Sequence, residues 1–115
     1  GLLAVAVSRG EVGVDVEPVD ANLSESMALR IMTQPELQEY EAKPDEEKQK
    51  ERVRIWTAKE ALFKASAAAC FDPLKQDTME GVWRSFDTEV NGKGYIFSVA
   101  TATPEKIRIY KDIKL

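Results

Sequence analysis

The chain has 115 residues, which is enough for one folded domain and too short for two full ones. Its hydrophobic fraction of 43% and charged fraction of 31% are typical of soluble globular proteins, and no apolar run approaches the roughly 18 residues of a membrane span. A formal net charge of −4 argues against general nucleic-acid binding, and the absence of histidine excludes a Ser-His triad, a Cys-His pair and a histidine-based zinc site within the chain.

The N-terminal part of the chain predicts two strands. Leu2–Ser8 is a short apolar run of the kind found in buried strands, and Arg9–Glu11 reads as a turn. Val12–Glu17 alternates apolar and acidic residues, which predicts a half-exposed strand. Pro18 ends this strand because proline lacks the backbone N–H that pairing requires.

The middle of the chain predicts three helices. Ser24 is a suitable N-cap for a short helix over Glu25–Met32. Thr33 and Glu36 have the spacing of a capping box, so a second short helix should follow to about Ala42. A long helix is expected over Glu46–Ala69, where apolar residues recur at helical spacing.

The last third of the chain changes to a strand pattern. We predict strands at Val82–Val90, Tyr95–Ala102 and Ile107–Lys111. Asn91-Gly92 lies between the first two and indicates a hairpin, because both residues tolerate a positive φ. Helices that cluster between two groups of strands predict an α+β fold, with a largely antiparallel sheet packed against the long helix and the short helices.

The strand at Val12–Glu17 carries two carboxylates on one face. Side chains alternate along a strand, so Asp15 and Glu17 point the same way, and we expect Val14 and Val16 to point into the core. Taken alone, the two acids would be explained as part of a solvated sheet face. Gly13 weakens that interpretation, since a glycine inside a strand often marks a close approach or a bulge.

The long helix carries a third carboxylate beside two lysines. At 100° per residue, Trp56, Glu60 and Lys64 form one row along its side. A plain interpretation of Glu60 and Lys64 is an exposed i,i+4 ion pair. That interpretation does not explain Lys59, which falls on the border of the apolar stripe and needs a partner or must extend to solvent. The stripe itself consists of Ile55, Ala58, Leu62, Ala65 and Ala69.

Taken together, the two segments resemble the signature of the 4′-phosphopantetheinyl transferase superfamily. The family pattern is a G-[IV]-D segment followed, after roughly four dozen residues, by [FW]-[SCT]-x-K-E-[AS]-x-x-K. Gly13–Asp15 matches the first part and Trp56–Lys64 matches the second. Glu17 completes the D-x-E of the larger, surfactin-synthetase-activating type, whose C-terminal half the chain resembles. The segment from Arg30 to Tyr40 is also similar to the linking helices of the holo-acyl-carrier-protein synthases.

The resemblance implies an enzyme with a defined chemistry. Coenzyme A would donate its 4′-phosphopantetheine arm to a serine of an acyl or peptidyl carrier protein. A divalent cation, Mg²⁺, would be held by Asp15, Glu17 and Glu60, since hard cations prefer oxygen ligands. Glu60 would take the serine proton, directly or through a water molecule. Lys64 would hold a pyrophosphate oxygen, and Lys59 would support the same phosphates.

The resemblance also leaves two alternatives open. The family's Ser-His-containing nucleotide-binding segment has no counterpart here, and Thr101–Thr103 is the nearest sequence to it. We therefore expect residues 1–115 to form a single domain that is either the C-terminal half of a two-half enzyme or a short member that builds its cleft as a homo-oligomer. The alternative to an enzyme is a non-catalytic half-domain that binds metal and carrier protein and needs an N-terminal half. We expect no nucleic-acid partner and no membrane partner. The single cysteine, Cys70, cannot form an internal disulfide, so a reducing, cytoplasmic location fits best.

Overall fold

A computed structural model describes residues 11–66, 68–102 and 107. These residues form an α+β fold in which three helices accompany a three-stranded antiparallel sheet of order β1-β3-β2, as predicted. The elements are β1 (Val12–Pro18), α1 (Glu25–Ile31), α2 (Gln34–Glu41), α3 (Asp45–Ala65), β2 (Val82–Val90) and β3 (Lys93–Thr101), with a short 3₁₀ turn at Pro73–Lys75. The predicted strand Leu2–Ser8 and the turn after it lie outside the described residues except for Glu11. Of Ile107–Lys111 only Ile107 is described, and it is not in a strand.

The two short helices begin where their capping residues predict. The hydroxyl of Ser24 accepts a hydrogen bond from the Met27 amide at 3.3 Å. At α2 the box is reciprocal, because Thr33 Oγ1 accepts from the Glu36 amide while Glu36 Oε1 accepts from the Thr33 amide at 2.8 Å. Both helix starts therefore satisfy backbone donors that would otherwise lack partners.

The long helix ends four residues earlier than predicted, at Ala65. Ser66 leaves the helical region, with φ −88° and ψ 163°, which are values of extended chain. Its hydroxyl donates to the Phe63 carbonyl at 2.7 Å and accepts from the Ala68 amide at 3.3 Å. A serine side chain thus satisfies the groups that further helix would have paired, and the alanine-rich sequence after it does not continue the helix.

The hairpin between β2 and β3 turns at the predicted dipeptide. Asn91 and Gly92 both have positive φ values, 52° and 79°. The register places Val90 opposite Lys93, so the turn contains only these two residues. This is the backbone that a tight hairpin requires for strands with the usual right-handed twist.

The orientation expected for β1 is wrong. Its Gly13–Asp15–Glu17 face, and not the valine face, lies against α3. Val16 remains 37% exposed on the other side. The reason is Gly13: a Cβ atom at this position would lie 2.0 Å from the Ala61 carbonyl oxygen, so the missing side chain lets the strand pack directly on the helix backbone.

Two polar contacts fix α3 on the sheet in addition to apolar packing. The buried hydroxyls of Thr57 and Ser98 are 2.7 Å apart, and Arg54 Nε donates to Ser85 Oγ at 3.0 Å. The apolar contacts fall into two clusters, one beneath α1 and α2 and one between α3 and the sheet. Their buried members are Ala28, Met32, Tyr40 and Ile55 in the first, and Ala61, Leu62, Ala65 and Ala100 in the second. Helix α3 is therefore held in a defined position over β1 and β3.

Candidate functional site

The close approach of β1 to α3 brings residues that are 49 positions apart into contact. Lys64 Nζ lies 3.0 Å from Asp15 Oδ1 and 3.1 Å from the Val14 carbonyl oxygen. Within the described residues, Glu60 forms no salt bridge with Lys64. The exposed i,i+4 pair that would have explained these two residues is thus absent, and Lys64 turns toward the strand acids.

Asp15 has one carboxylate oxygen without a partner. Its side chain is only 13% exposed, and Oδ2 is buried with no hydrogen bond from any described group. Buried polar atoms are almost always paired, because leaving one unpaired costs about 1–3 kcal/mol. An unpaired anionic oxygen beside two further carboxylates is a ready ligand for a cation.

The other two acids of the predicted site lie close enough to Asp15 to be affected by its charge. Burial raises the pKa of Glu60 above its ordinary value, the negative charge of Asp15 adds to this, and Lys64 partly opposes it. Burial likewise raises the pKa of Glu17, with further contributions from Asp15 and Glu60. The structure therefore gathers Asp15, Glu17, Glu60 and Lys64 into one electrostatically coupled group, hereafter the carboxylate site.

The carboxylates are gathered but not closed around a common point. Among residues 11–66, 68–102 and 107, no group of three or more acidic, histidine or cysteine side chains is arranged to hold a metal ion as it stands. Lys64 occupies Oδ1 of Asp15 instead. Oδ2 of Asp15 is open to a cation, but the three carboxylates would have to converge on one point to hold it together.

Lys59 lies on another side of α3, away from the carboxylate site. Its side chain is fully buried, and its Nζ lies 2.8 Å from Glu36 Oε1, 2.8 Å from the Pro73 carbonyl oxygen and 3.0 Å from that of Gln76. The partner that its position in the apolar stripe demands is thus Glu36. The role predicted for Lys59 in supporting phosphates stays a prediction, and it would require the ammonium to leave these three acceptors.

Comparison with known families agrees with the residues that gather here. A sequence profile of the 4′-phosphopantetheinyl transferase superfamily matches residues 11–109. The chain belongs to the 4′-phosphopantetheinyl transferase superfamily. The match covers β1, all three helices and the hairpin, so both signature segments lie inside it. A search of curated proteins gave no match.

Membership assigns the general chemistry of the superfamily to the chain. That chemistry is the transfer of phosphopantetheine, with coenzyme A and a carrier protein as the substrates in general. No helix in the described part of the chain combines the length and the apolar character needed to cross a lipid bilayer.

A small cavity borders the carboxylate site of this phosphopantetheinyl transferase domain. It has a volume of about 270 Å³ and lies between α1, α3 and the end of β1. Its lining is mostly apolar and includes Trp56, with Glu17 at the edge. Trp56 is also in edge-to-face contact with Phe71, which packs in the same way on Phe63. Trp56 therefore lines an apolar hollow that Glu17 of the carboxylate site also borders.

Two features of the site were not predicted from the sequence. The direct contact between Lys64 and Asp15 links two segments whose distance the sequence does not give. Glu36 was assigned only to the capping box, although one of its oxygens caps α2 and also receives Lys59. The sequence indicates only that a buried lysine such as Lys59 needs a carboxylate partner, and it does not identify which carboxylate that is.

Proposed function

We propose that the chain transfers 4′-phosphopantetheine from coenzyme A to a serine of an acyl or peptidyl carrier protein, in a reaction that depends on Mg²⁺. The observation that carries the proposal is the unpaired, buried Oδ2 of Asp15 within the carboxylate site. Three carboxylates and no nitrogen or sulfur ligand form a donor set suited to a hard divalent cation.

The donor atoms of the carboxylate site suit such a cation, and the three side chains would converge to hold it. Asp15, Glu17 and Glu60 would hold it, and its charge would offset the burial and the mutual repulsion that raise the pKa values of the two glutamates. When bound, Mg²⁺ would supply charge neutralisation for the pyrophosphate group of coenzyme A.

Lys64 has a place in both states of the site. In the structure its ammonium neutralises Asp15, and its side chain is 47% exposed. A cation on Asp15 would compete with the ammonium for that carboxylate, and the half-exposed Lys64 side chain would then be able to donate to a phosphate oxygen. We therefore assign Lys64 to phosphate binding.

Glu60 is the best candidate for the base of the reaction. It forms no salt bridge with any described residue, so a carboxylate oxygen that does not hold the cation would stay open to the serine proton. The serine oxygen would bond to the phosphorus that carries the pantetheine arm as the phosphoanhydride bond breaks. The serine proton would pass to Glu60, and 3′,5′-bisphosphoadenosine would leave.

The test is a transfer assay on an apo carrier protein. The chain is incubated with coenzyme A, Mg²⁺ and an apo acyl or peptidyl carrier protein, and mass spectrometry reports whether the mass of the phosphopantetheine arm is added. We expect addition with the parent and none with Asp15→Ala or Glu60→Ala, both of which should remain folded. Transfer by either variant at the parental rate would overturn the assignment of the carboxylate site.

The same assay, run beside calorimetry of coenzyme A binding with and without Mg²⁺, addresses the non-catalytic alternative. If coenzyme A binds in a Mg²⁺-dependent manner and no arm is transferred, the chain acts as a binding half-domain that needs a further domain. In that case, transfer should be seen only after the further domain is added, or at chain concentrations high enough for oligomers to form.

A further inference from the structure

Lys59 and Glu36 form a buried ion pair between α3 and the start of α2. Their side chains are 0% and 1% exposed, and Nζ lies 2.8 Å from Oε1. A lysine ammonium has three donors. Here all three have acceptors, since Nζ also donates to the carbonyls of Pro73 and Gln76. No donor is left for a ligand.

Glu36 extends this pair into a network that joins three parts of the chain. Its Oε1 also accepts from the Thr33 amide, and its Oε2 accepts from the amide and the hydroxyl of Thr78 at 2.7 and 2.6 Å. The Thr78 carbonyl in turn accepts from the indole of Trp83 on β2 at 2.8 Å. The network therefore ties α3, the start of α2 and the 73–78 segment to one another and to the sheet.

The network and the sheet contacts hold α3 from different sides. Gly13 and the Thr57–Ser98 hydroxyl pair fix the side of the helix that faces β1 and β3. Lys59 fixes the side that faces α2 and the 73–78 segment. Because Glu60 follows Lys59 directly, any rotation of α3 that loosens the buried ammonium also moves Glu60 relative to Asp15.

We propose that Lys59 is a positioning residue, which through Glu36 and the 73–78 segment sets the place of Glu60 in the carboxylate site without touching phosphate. The inference rests on the proposed function, since it concerns the same cation site. It differs from the role that the sequence motif predicts, in which both lysines contact the phosphates of coenzyme A.

Metal binding in the absence of coenzyme A separates these roles. We would titrate Mn²⁺, as a paramagnetic substitute for Mg²⁺, into the full chain and measure free Mn²⁺ by electron paramagnetic resonance. Lys59→Met keeps an unbranched side chain that is one atom shorter and removes the charge, whereas Glu36→Gln keeps the size of its partner. Lys50→Met is the matched control, because it removes a lysine of the same helix whose ion pair with Asp87 lies at the surface.

We expect Lys59→Met and Glu36→Gln each to weaken Mn²⁺ binding about 10-fold or more, as changes to the supports of metal ligands do. The double variant should bind Mn²⁺ no more weakly than the worse single variant, because both changes break one network. Lys50→Met should bind as the parent does. Should Lys59→Met fail to fold, Thr78→Val, which removes only the hydroxyl donor to Glu36, should still fold and weaken Mn²⁺ binding by a smaller factor.

Three results would overturn the inference. Parental Mn²⁺ affinity with weakened coenzyme A affinity in Lys59→Met would show a direct phosphate contact. A lowered melting temperature with parental Mn²⁺ affinity in every folded variant would show a role in stability alone. Absence of Mn²⁺ binding by the parent itself would refute the proposed function first, and this inference with it.

Discussion

Replacing Gly13 by alanine should push β1 away from α3 and open the carboxylate site. The new Cβ would lie 2.0 Å from the Ala61 carbonyl oxygen, 2.7 Å from the Ala65 amide nitrogen and 2.9 Å from Lys64 Cβ. Two of these atoms belong to the helix backbone and cannot turn aside. The shortest contact has to lengthen by about 1.4 Å, from 2.0 Å to the 3.4 Å at which ordinary contact begins.

This displacement has two measurable consequences. Forcing a methyl group into a packed site costs about 1–3 kcal/mol, which lowers the melting temperature of a domain of this size by roughly 4–12 °C. Asp15 lies two residues further along the strand and should move with it. Because metal–ligand distances tolerate only about 0.2 Å, we expect Mn²⁺ affinity to fall about 10–100-fold.

Thermal melts and Mn²⁺ titration of Gly13→Ala test both consequences. Gly94→Ala is the matched control: its Cβ would meet only the side chain of Val19, at 3.1 Å, which can rotate away. The control should keep the parental metal affinity. A Gly13→Ala protein with the parental melting temperature and metal affinity would refute the close packing of β1 on α3.

Three further predictions follow from the site. Without metal, the stability of Glu60→Gln relative to the parent should increase as the pH rises from about 4.5 to neutral. The reason is that the pKa of Glu60 is raised in the folded chain, so the unfolded chain loses this proton at a lower pH. The folded parent is therefore destabilised across that pH range, and the variant, which has no proton to lose, is not. Urea unfolding at several pH values measures this, and a constant difference would contradict it. Lys64→Ala should weaken coenzyme A binding about 10–100-fold in calorimetry, since a hydrogen bond to a charged group contributes about 1.5–3 kcal/mol. The affinity for a dephosphorylated pantetheine analogue should not change, and Lys64→Arg should restore only part of the coenzyme A affinity. Equal losses of affinity for both ligands would indicate a structural effect. Transfer should require another copy of the chain or another domain to complete the coenzyme A pocket. The cavity beside Glu17 has a volume of only about 270 Å³, whereas ligand pockets usually span about 300–1,000 Å³. Light scattering run beside the transfer assay tests this, and a fully active monomer would disprove it.

The elements with strong end signals were predictable from the sequence, and their contacts were not. Ser24, the Thr33–Glu36 box and Asn91-Gly92 each act through neighbouring backbone groups, so local sequence is sufficient. The end of α3 was placed too late because the alanines after Lys64 favour helix, while a single serine hydroxyl stops it.

The site residues show the same division between local and distant information. Periodicity correctly placed Asp15 with Glu17, and Glu60 with Lys64, on shared faces. It could not show that the acidic face of β1 turns inward, because this depends on a glycine allowing the helix backbone to approach. Nor could it name Glu36 as the partner of Lys59, since the two are 23 residues apart and meet only in the folded chain.

The hydroxyl pair between Thr57 and Ser98 selects one alignment of the central strand. Ser98 lies directly opposite Asp15 across β1 and β3, and opposite Ser85 across β2 and β3. A slip of β3 by one residue would turn Ser98 to the other face of the sheet and bring Phe97 or Val99 toward Thr57. The buried threonine would then lack a partner, at a cost of about 1–3 kcal/mol. The Thr57–Ser98 hydrogen bond therefore disfavours strand registers in which Asp15 would no longer pair with Ser98, although neither hydroxyl is a part of the carboxylate site.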